Sequence, residues 1–233
     1  MLNLLVASPQ RTEAEREALL EAGPAVALVM ALQIALAATS YFEHWTTWSF
    51  GWWMWLVPLV FEVPFFVLFT WHRPHRALVE KGIRRQVGIG LLAGASGANA
   101  FLVLSVIASL VSGHESSGAH LLLKGGTIWL TNAILFGLWF WLFDQGGPAV
   151  RLGPSTLKPD FLFPQTDEPE IAPAGWRPHF VDYMYVSFTN SIAFSPTDTM
   201  PLSRWAKLLM LFESALSAVL ILLVAARAVN IFK

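Results

Sequence analysis

The chain has 233 residues, of which 55% are hydrophobic and only 13% charged, and its formal net charge is −1. Soluble domains carry about 25% charged residues, so this deficit, together with a mean hydropathy of +0.53, points to the bilayer. A balance so near neutrality gives no electrostatic footprint for nucleic acid, and the absence of cysteine excludes disulfides, thiolate metal sites and cysteine nucleophiles.

The N-terminal stretch Met1–Ala7 is apolar but lacks a basic n-region, so no cleavable signal peptide is expected. Ser8-Pro9 can cap a helix start, and residues 1–22 are expected to form an interfacial helix. The first span is predicted over 23–42, close to the roughly 20 residues an apolar helix needs to cross ~30 Å of hydrocarbon. The second is predicted over 50–71, with Pro58 and Pro64 to kink it and Glu62 between them. Trp45, Trp48, Trp52, Trp53 and Trp55 crowd its start and read as an aromatic belt at the headgroup level. The loop 72–86 carries Arg73, Arg76, Lys81, Arg84 and Arg85, so the positive-inside rule makes it cytoplasmic and the N-terminus with it.

The third span, 87–111, opens with Gly88, Gly90, Gly94, Ala95, Ser96, Gly97 and Ala98, small residues that let a neighbouring helix approach closely. A fourth span over 126–143 completes a four-helix transmembrane region, 23–143. Residues 144–180 hold seven prolines and the acids Asp160, Asp167, Glu168 and Glu170, and are expected to be an extended, irregular connector. The segment 181–233 then pairs a polar stretch with the longest helix, 202–231. No internal repeat is evident.

Two acids lie inside apolar spans, Glu62 and Glu213. A charged carboxylate at that depth costs on the order of 2.5–3.5 kcal/mol by insertion scales, so each must be protonated, paired or facing water. One reading makes them stations on an ion or proton path; the other has each carboxyl bond a neighbouring helix through Asn99, Asn132 or Ser214. The histidines His44, His72, His75, His114, His120 and His179 fall in loops or at span ends, which does not suit a haem. His72 and His75 share a helical spacing, and Glu43-His44 and His114-Glu115 could share one rim. Interfacial histidines are far commoner than metal sites, so no metal site is expected. Ser116-Ser117 has no base or elbow motif around it, so no hydrolase is expected.

The stretch Val181-Asp-Tyr-Met-Tyr-Val-Ser-Phe-Thr-Asn-Ser-Ile-Ala-Phe-Ser-Pro-Thr-Asp198 is too polar for an ordinary span and sits directly before the last helix. It resembles the pore loop of potassium-type channels. Tyr185 and Ser187 match the pore helix, Asp198 the filter-closing acid, and Pro201 and Ser203 the entry to the inner helix. The filter glycines fall on Ser195 and Thr197, the filter tyrosine on Pro196, and the filter-opening threonine on Ala193. A potassium filter exposes consecutive carbonyls in conformations that glycine supplies and proline forbids, so potassium selectivity is not expected. A wider constriction lined by Thr189, Asn190, Ser191, Ser195, Pro196, Thr197 and Asp198 is expected instead.

Residues 161–231 are also similar to the C-terminal part of an uncharacterised family of bacterial inner-membrane proteins, a domain of unknown function. The matching residues are Phe163-Pro164, Asp182-Tyr183, Tyr185, Ser187-Phe188-Thr189, Thr197-Asp198 and Ala228-Val229-Asn230. The resemblance implies a multi-pass protein of the bacterial inner (plasma) membrane and assigns no activity.

The expected fold is all-α: a polytopic helix bundle of five transmembrane helices plus a re-entrant segment over 182–198, with a short sixth span as the other topology for 181–198. The expected function is an ion-channel-like protein, not an enzyme, passing a small cation without cofactor or metal. The pore-loop resemblance implies a homo-oligomer, four copies around one axis. The alternatives are a non-conducting scaffold or accessory subunit, and a proton-coupled carrier using Glu62 and Glu213.

Overall fold

The computed structural model describes residues 18–70, 83–113, 117–151, 157–195 and 198–231. The expected interfacial helix up to Glu17, most of the basic loop, Pro196 and Thr197 lie outside these residues.

After a π-helical turn at Ala18–Ala22, helix α1 runs Gly23–Phe42 with Pro24 in its first turn, where a missing N–H costs nothing. A 3-10 turn at Trp52–Leu56 leads into α2, Leu59–Thr70, which contains Pro64. Helix α3 spans Arg84–Val111 and α4 spans Gly118–Phe143. Helix α4 stops where Gln145, Gly146 and Gly147 take φ of 52°, 81° and 99° in succession. At Gly147 a Cβ would lie 2.9 Å from the Leu142 carbonyl oxygen, so this turn is closed to larger residues. Helix α5, Phe180–Ala193, and α6, Arg204–Ile231, complete the bundle.

The described residues are therefore all-α apart from one two-residue strand pair and an isolated bridge between Thr47 and Phe50. Among the described residues, four helices are long and apolar enough to cross a membrane: Leu20–Phe42, Arg85–Val111, Gly118–Gly146 and Arg204–Arg227. The apolar stretch Trp52–Leu68 is shorter. These helices make the chain a membrane protein.

Contacts at the helix ends fix the directions. Glu21, just before α1, accepts a bond from the Val181 N–H, and Tyr183 bonds Asp144 at the end of α4. Arg85 lies over the Phe143 ring, and Trp205 packs edge-on against it. The starts of α1, α3, α5 and α6 thus gather around the end of α4, at what we term the Asp144 end. At the opposite, Lys124 end, Lys124 Nζ donates to the Thr46 carbonyl, Trp45 stacks on His120, and Gly125 meets Val224.

Helix α4 begins eight residues before the predicted fourth span because Lys124 is accommodated. The residue is 1% exposed, and its ammonium has the Thr46 carbonyl and the Trp45 ring as partners. The described part of the connector is a series of short helical turns, at Asp144–Gly146, Pro148–Arg151, Pro164–Asp167 and Pro169–Ile171, and not one extended run, and it is anchored. Phe161 and Phe163 are buried and meet Phe140, Tyr183, Trp176 and Trp205 edge-on or tilted. Phe161–Leu162 (β1) pairs antiparallel with Met200–Pro201 (β2), in the register Phe161↔Pro201 and Leu162↔Met200. The chain before α5 and the chain after it therefore meet at the Asp144 end. The tryptophans divide: Trp48, Trp52 and Trp53 are exposed near the Lys124 end, whereas Trp55 and Trp141 are core.

Candidate functional site

Helix α5 is two-faced. Phe180, Tyr183, Val186, Ser187, Asn190 and Ser191 are buried, while Val181, Tyr185, Phe188 and Ile192 are exposed. Its polar groups thus face the bundle and its apolar stripe faces outward, the reverse of a helix in water. Its start is pinned by a capping box in which the His179 N–H donates to Asp182 Oδ2 at 2.7 Å. It stops at Phe194, which takes a left-handed φ of 55°.

Glu213 of α6 is fully buried against this inner face. Asn190 Nδ2 donates to Glu213 Oε2 at 2.7 Å and reaches the Met210 carbonyl at 3.0 Å. Ser214 Oγ donates to Asn190 Oδ1 at 3.0 Å, so the amide is held at both ends. Ser187 Oγ bonds Glu213 Oε1 and also lies 2.6 Å from the Ala133 carbonyl of α4. A hydroxyl has one hydrogen, and a carbonyl can only accept. If Ser187 donates to Ala133, the hydrogen in its contact with Glu213 must come from the carboxyl. Gly137 makes this packing possible: a Cβ there would fall 2.7 Å from Met184 Sδ and 3.3 Å from Met184 Cα.

One turn along α6, Ser217 Oγ accepts from Asn132 Nδ2, whose Oδ1 accepts from Asn99 Nδ2, both at 3.4 Å. This ladder crosses α6, α4 and α3 with every member buried. Glu62 stands apart, its Oε1 accepting from Gln33 Nε2 of α1 at 3.0 Å. At the Asp144 end, Asp144 takes the Tyr183 hydroxyl at 2.5 Å and the Asp160 N–H at 2.7 Å. Arg151 there lies over the Tyr183 ring and bonds the Trp141 and Asp144 carbonyls. Asp160 in turn accepts from Trp205 Nε1 at 2.7 Å. This clamp ties α4, the connector, α5 and α6 together.

Among the described residues, those expected to line a constriction turn to different partners. Asn190 meets Glu213. The Thr189 hydroxyl bonds its own helix at the Tyr185 carbonyl, and that of Ser191 bonds the Phe188 carbonyl. Ser195 is exposed beyond the helix end, and Asp198 is exposed and accepts from Thr199 Oγ1. Of the partners expected for Glu213, Ser214 reaches it only through Asn190, and Asn132 turns to Ser217 instead. Sequence reasoning missed Gln33, Lys124 and Asp144. Gln33 carried a signal, being the one amide in an otherwise apolar span. No family model, curated protein or solved structure matches the chain.

Proposed function

We propose that the chain is a channel-like membrane protein that passes a small cation, a proton above all, with Glu213 as its central site. In this reading five helices span the bilayer and α5 is re-entrant. Support comes from the β1–β2 pairing, which joins the two chain segments flanking α5 at one end of the bundle. A helix of fourteen residues is about 21 Å long, and the six residues 194–199 can return about 20 Å when extended. A sixth span would instead separate the segments that pair. By the positive-inside rule the Asp144 end, where α3 begins with Arg84 and Arg85, is cytoplasmic, so α5 enters from the side opposite to a potassium-channel pore loop.

The observation that carries the proposal is Glu213: a fully buried carboxyl at the inner part of α5, whose partners Ser187 and Asn190 are both neutral. Intramembrane acids with no paired cation mark ion and proton routes. Because the polar face of α5 turns inward, the route runs within each protomer, past Glu213, and not along an axis shared by four copies. Purified protein in liposomes should dissipate an imposed pH gradient, and Glu213→Gln should slow that flux at least about tenfold, the change that 1.4 kcal/mol of barrier produces. Wild-type liposomes that stay tight to protons, sodium and potassium under every gradient and voltage would sink the proposal.

The competing reading is a non-conducting scaffold or subunit of a homo-oligomer. It rests on outward-facing surfaces: Gly90 and Gly97 of α3 have nothing within 4 Å of a built Cβ, and the apolar stripe of α5 is open. Tight liposomes would leave this reading standing.

A further inference from the structure

The pair Glu62–Gln33 is short of one hydrogen. Gln33 Nε2 donates to Glu62 Oε1 at 3.0 Å, which uses one edge of an acid–amide pair. The remaining oxygens, Glu62 Oε2 and Gln33 Oε1, are both buried, and among the described residues neither has a hydrogen-bond partner. Each residue is at most 2% exposed. Buried acceptors left without a donor in an apolar interior are costly, and Gln33 has no way to supply a donor from its oxygen. A carboxylic acid facing a primary amide resolves this with two parallel bonds, N–H to one carboxyl oxygen and O–H from the other to the amide oxygen. The one hydrogen needed is an acid proton on Oε2.

The surroundings offer nothing else. Glu62 borders a cavity of about 10 Å³ walled by Val26 and Val29 of α1, Phe65 of α2, Leu92 and Ala95 of α3 and Leu138 of α4. That is room for about one water-sized sphere, with too few polar partners for a hydrated metal ion. Among the described residues no other titratable group lines the cavity. Glu21, Tyr41, Arg84, Arg85, His120 and Lys124, on the elements packed against α2, all lie at helix ends. Glu213 has its own partners on α5.

We infer that Glu62 and Gln33 form a one-proton binding site that latches α2 to α1. Binding is a plain acid–base step: a hydronium ion gives its proton to Oε2 and leaves as water, and the new O–H donates to Gln33 Oε1. Loss of the proton leaves a carboxylate and sets two bare acceptors against each other. This happens at the weakest turn of α2, because Pro64 has no N–H for the Val60 carbonyl. The latch therefore opens by releasing α2 at its proline, and it does so whether or not Glu213 conducts.

The test uses the full chain in lipid nanodiscs. Infrared difference spectra across a pH titration should contain a carboxylic-acid C=O band that vanishes in Glu62→Gln and moves to higher frequency in Gln33→Leu, which removes the amide partner. Because the folded state holds the proton, thermal stability should be full at low pH and fall as pH rises through that titration. Glu62→Gln, whose amide can donate to Gln33 permanently, should flatten the fall. An acid band or a pH slope unchanged in Glu62→Gln would overturn the latch. Liposome flux is a separate readout, so its absence would sink conduction by Glu213 and leave the infrared result intact.

Discussion

Glu213 is reached by a hydroxyl and an amide from α5, the amide braced by Ser214 and the Met210 carbonyl, whereas Glu62 meets a single amide from α1. Both acids are buried on apolar helices, so burial alone does not explain the difference. Their neighbours do. Glu213 faces α5, whose buried face presents Ser187 and Asn190 to it. Glu62 faces long apolar helices that offer one polar side chain between them. Which helix each acid faces, and not how deeply it is buried, therefore sets how many polar partners it has.

The largest effect should follow from removing the richer site. Glu213→Ala withdraws the acceptor from Asn190 and leaves a void between α5 and α6. Together these should cost about 2–4 kcal/mol, read as a lower thermal midpoint in nanodiscs followed by tryptophan fluorescence. Ser187→Ala combined with Asn190→Leu should cost less than the sum of the two, since both act through one carboxyl. Strict additivity would mean that the network is two independent bonds.

The simpler site can be strained without touching its acid. At Gly94 of α3 a Cβ would sit 2.3 Å from Phe61 Cδ1, an impossible approach unless the ring moves. Phe61 is adjacent to Glu62, so Gly94→Ala should push α2 outward, at the roughly 1–3 kcal/mol typical of overpacking. It should also perturb the infrared band of Glu62 while leaving flux through the Glu213 site near wild type. A variant as stable as wild type would mean that α2 shifts freely.

How much of this could be read in advance follows the same division. Four of the five expected spans and both buried acids were legible, because apolar length and a lone charge are local signals. The close helix packing at Gly94 was legible as well, from small residues at helical spacing. The start of α4 was not, because Lys124 reads as a boundary until its partners Thr46 and Trp45 are known, and these lie some 80 residues away in sequence. The polar face of α5 was visible, but its direction was not. Thr189, Ser191 and Asn190 look alike in a polar run, and only packing against α6 separates the amide that meets Glu213 from hydroxyls that bond their own helix. Phe161 and Phe163 were hidden for a related reason: a proline-rich connector gives no period from which burial could be inferred.

Gly137→Ala is the counterpart of Gly94→Ala on the Glu213 side. Its Cβ would meet Met184 Sδ, the flexible part of a side chain that can swing away, but also Met184 Cα at 3.3 Å. The expected cost is about 1 kcal/mol, at the low edge of overpacking. Flux should suffer more than stability, because a small outward shift of α5 separates Ser187 from the Ala133 carbonyl. Equal losses in both, or a loss of stability alone, would argue that Ser187 only fastens the helix.

The smallest effect belongs to Gln33→Leu. Interhelical hydrogen bonds in membranes average about 0.6 kcal/mol and reach about 1.7, and leucine restores some of the packing that glutamine gave. The stability change alone is therefore a weak test; its dependence on Glu62 is the sharp one. In wild type the substitution removes both edges of the acid–amide pair. In a Glu62→Gln background it removes an amide–amide pair that needs no proton. The coupling between positions 33 and 62 should consequently vary with pH when residue 62 is glutamate and stay constant when it is glutamine. A pH-independent coupling in both backgrounds would reduce Glu62 to an ordinary hydrogen-bonded acid and erase the distinction between a polar group that holds two helices together and one that lets them part.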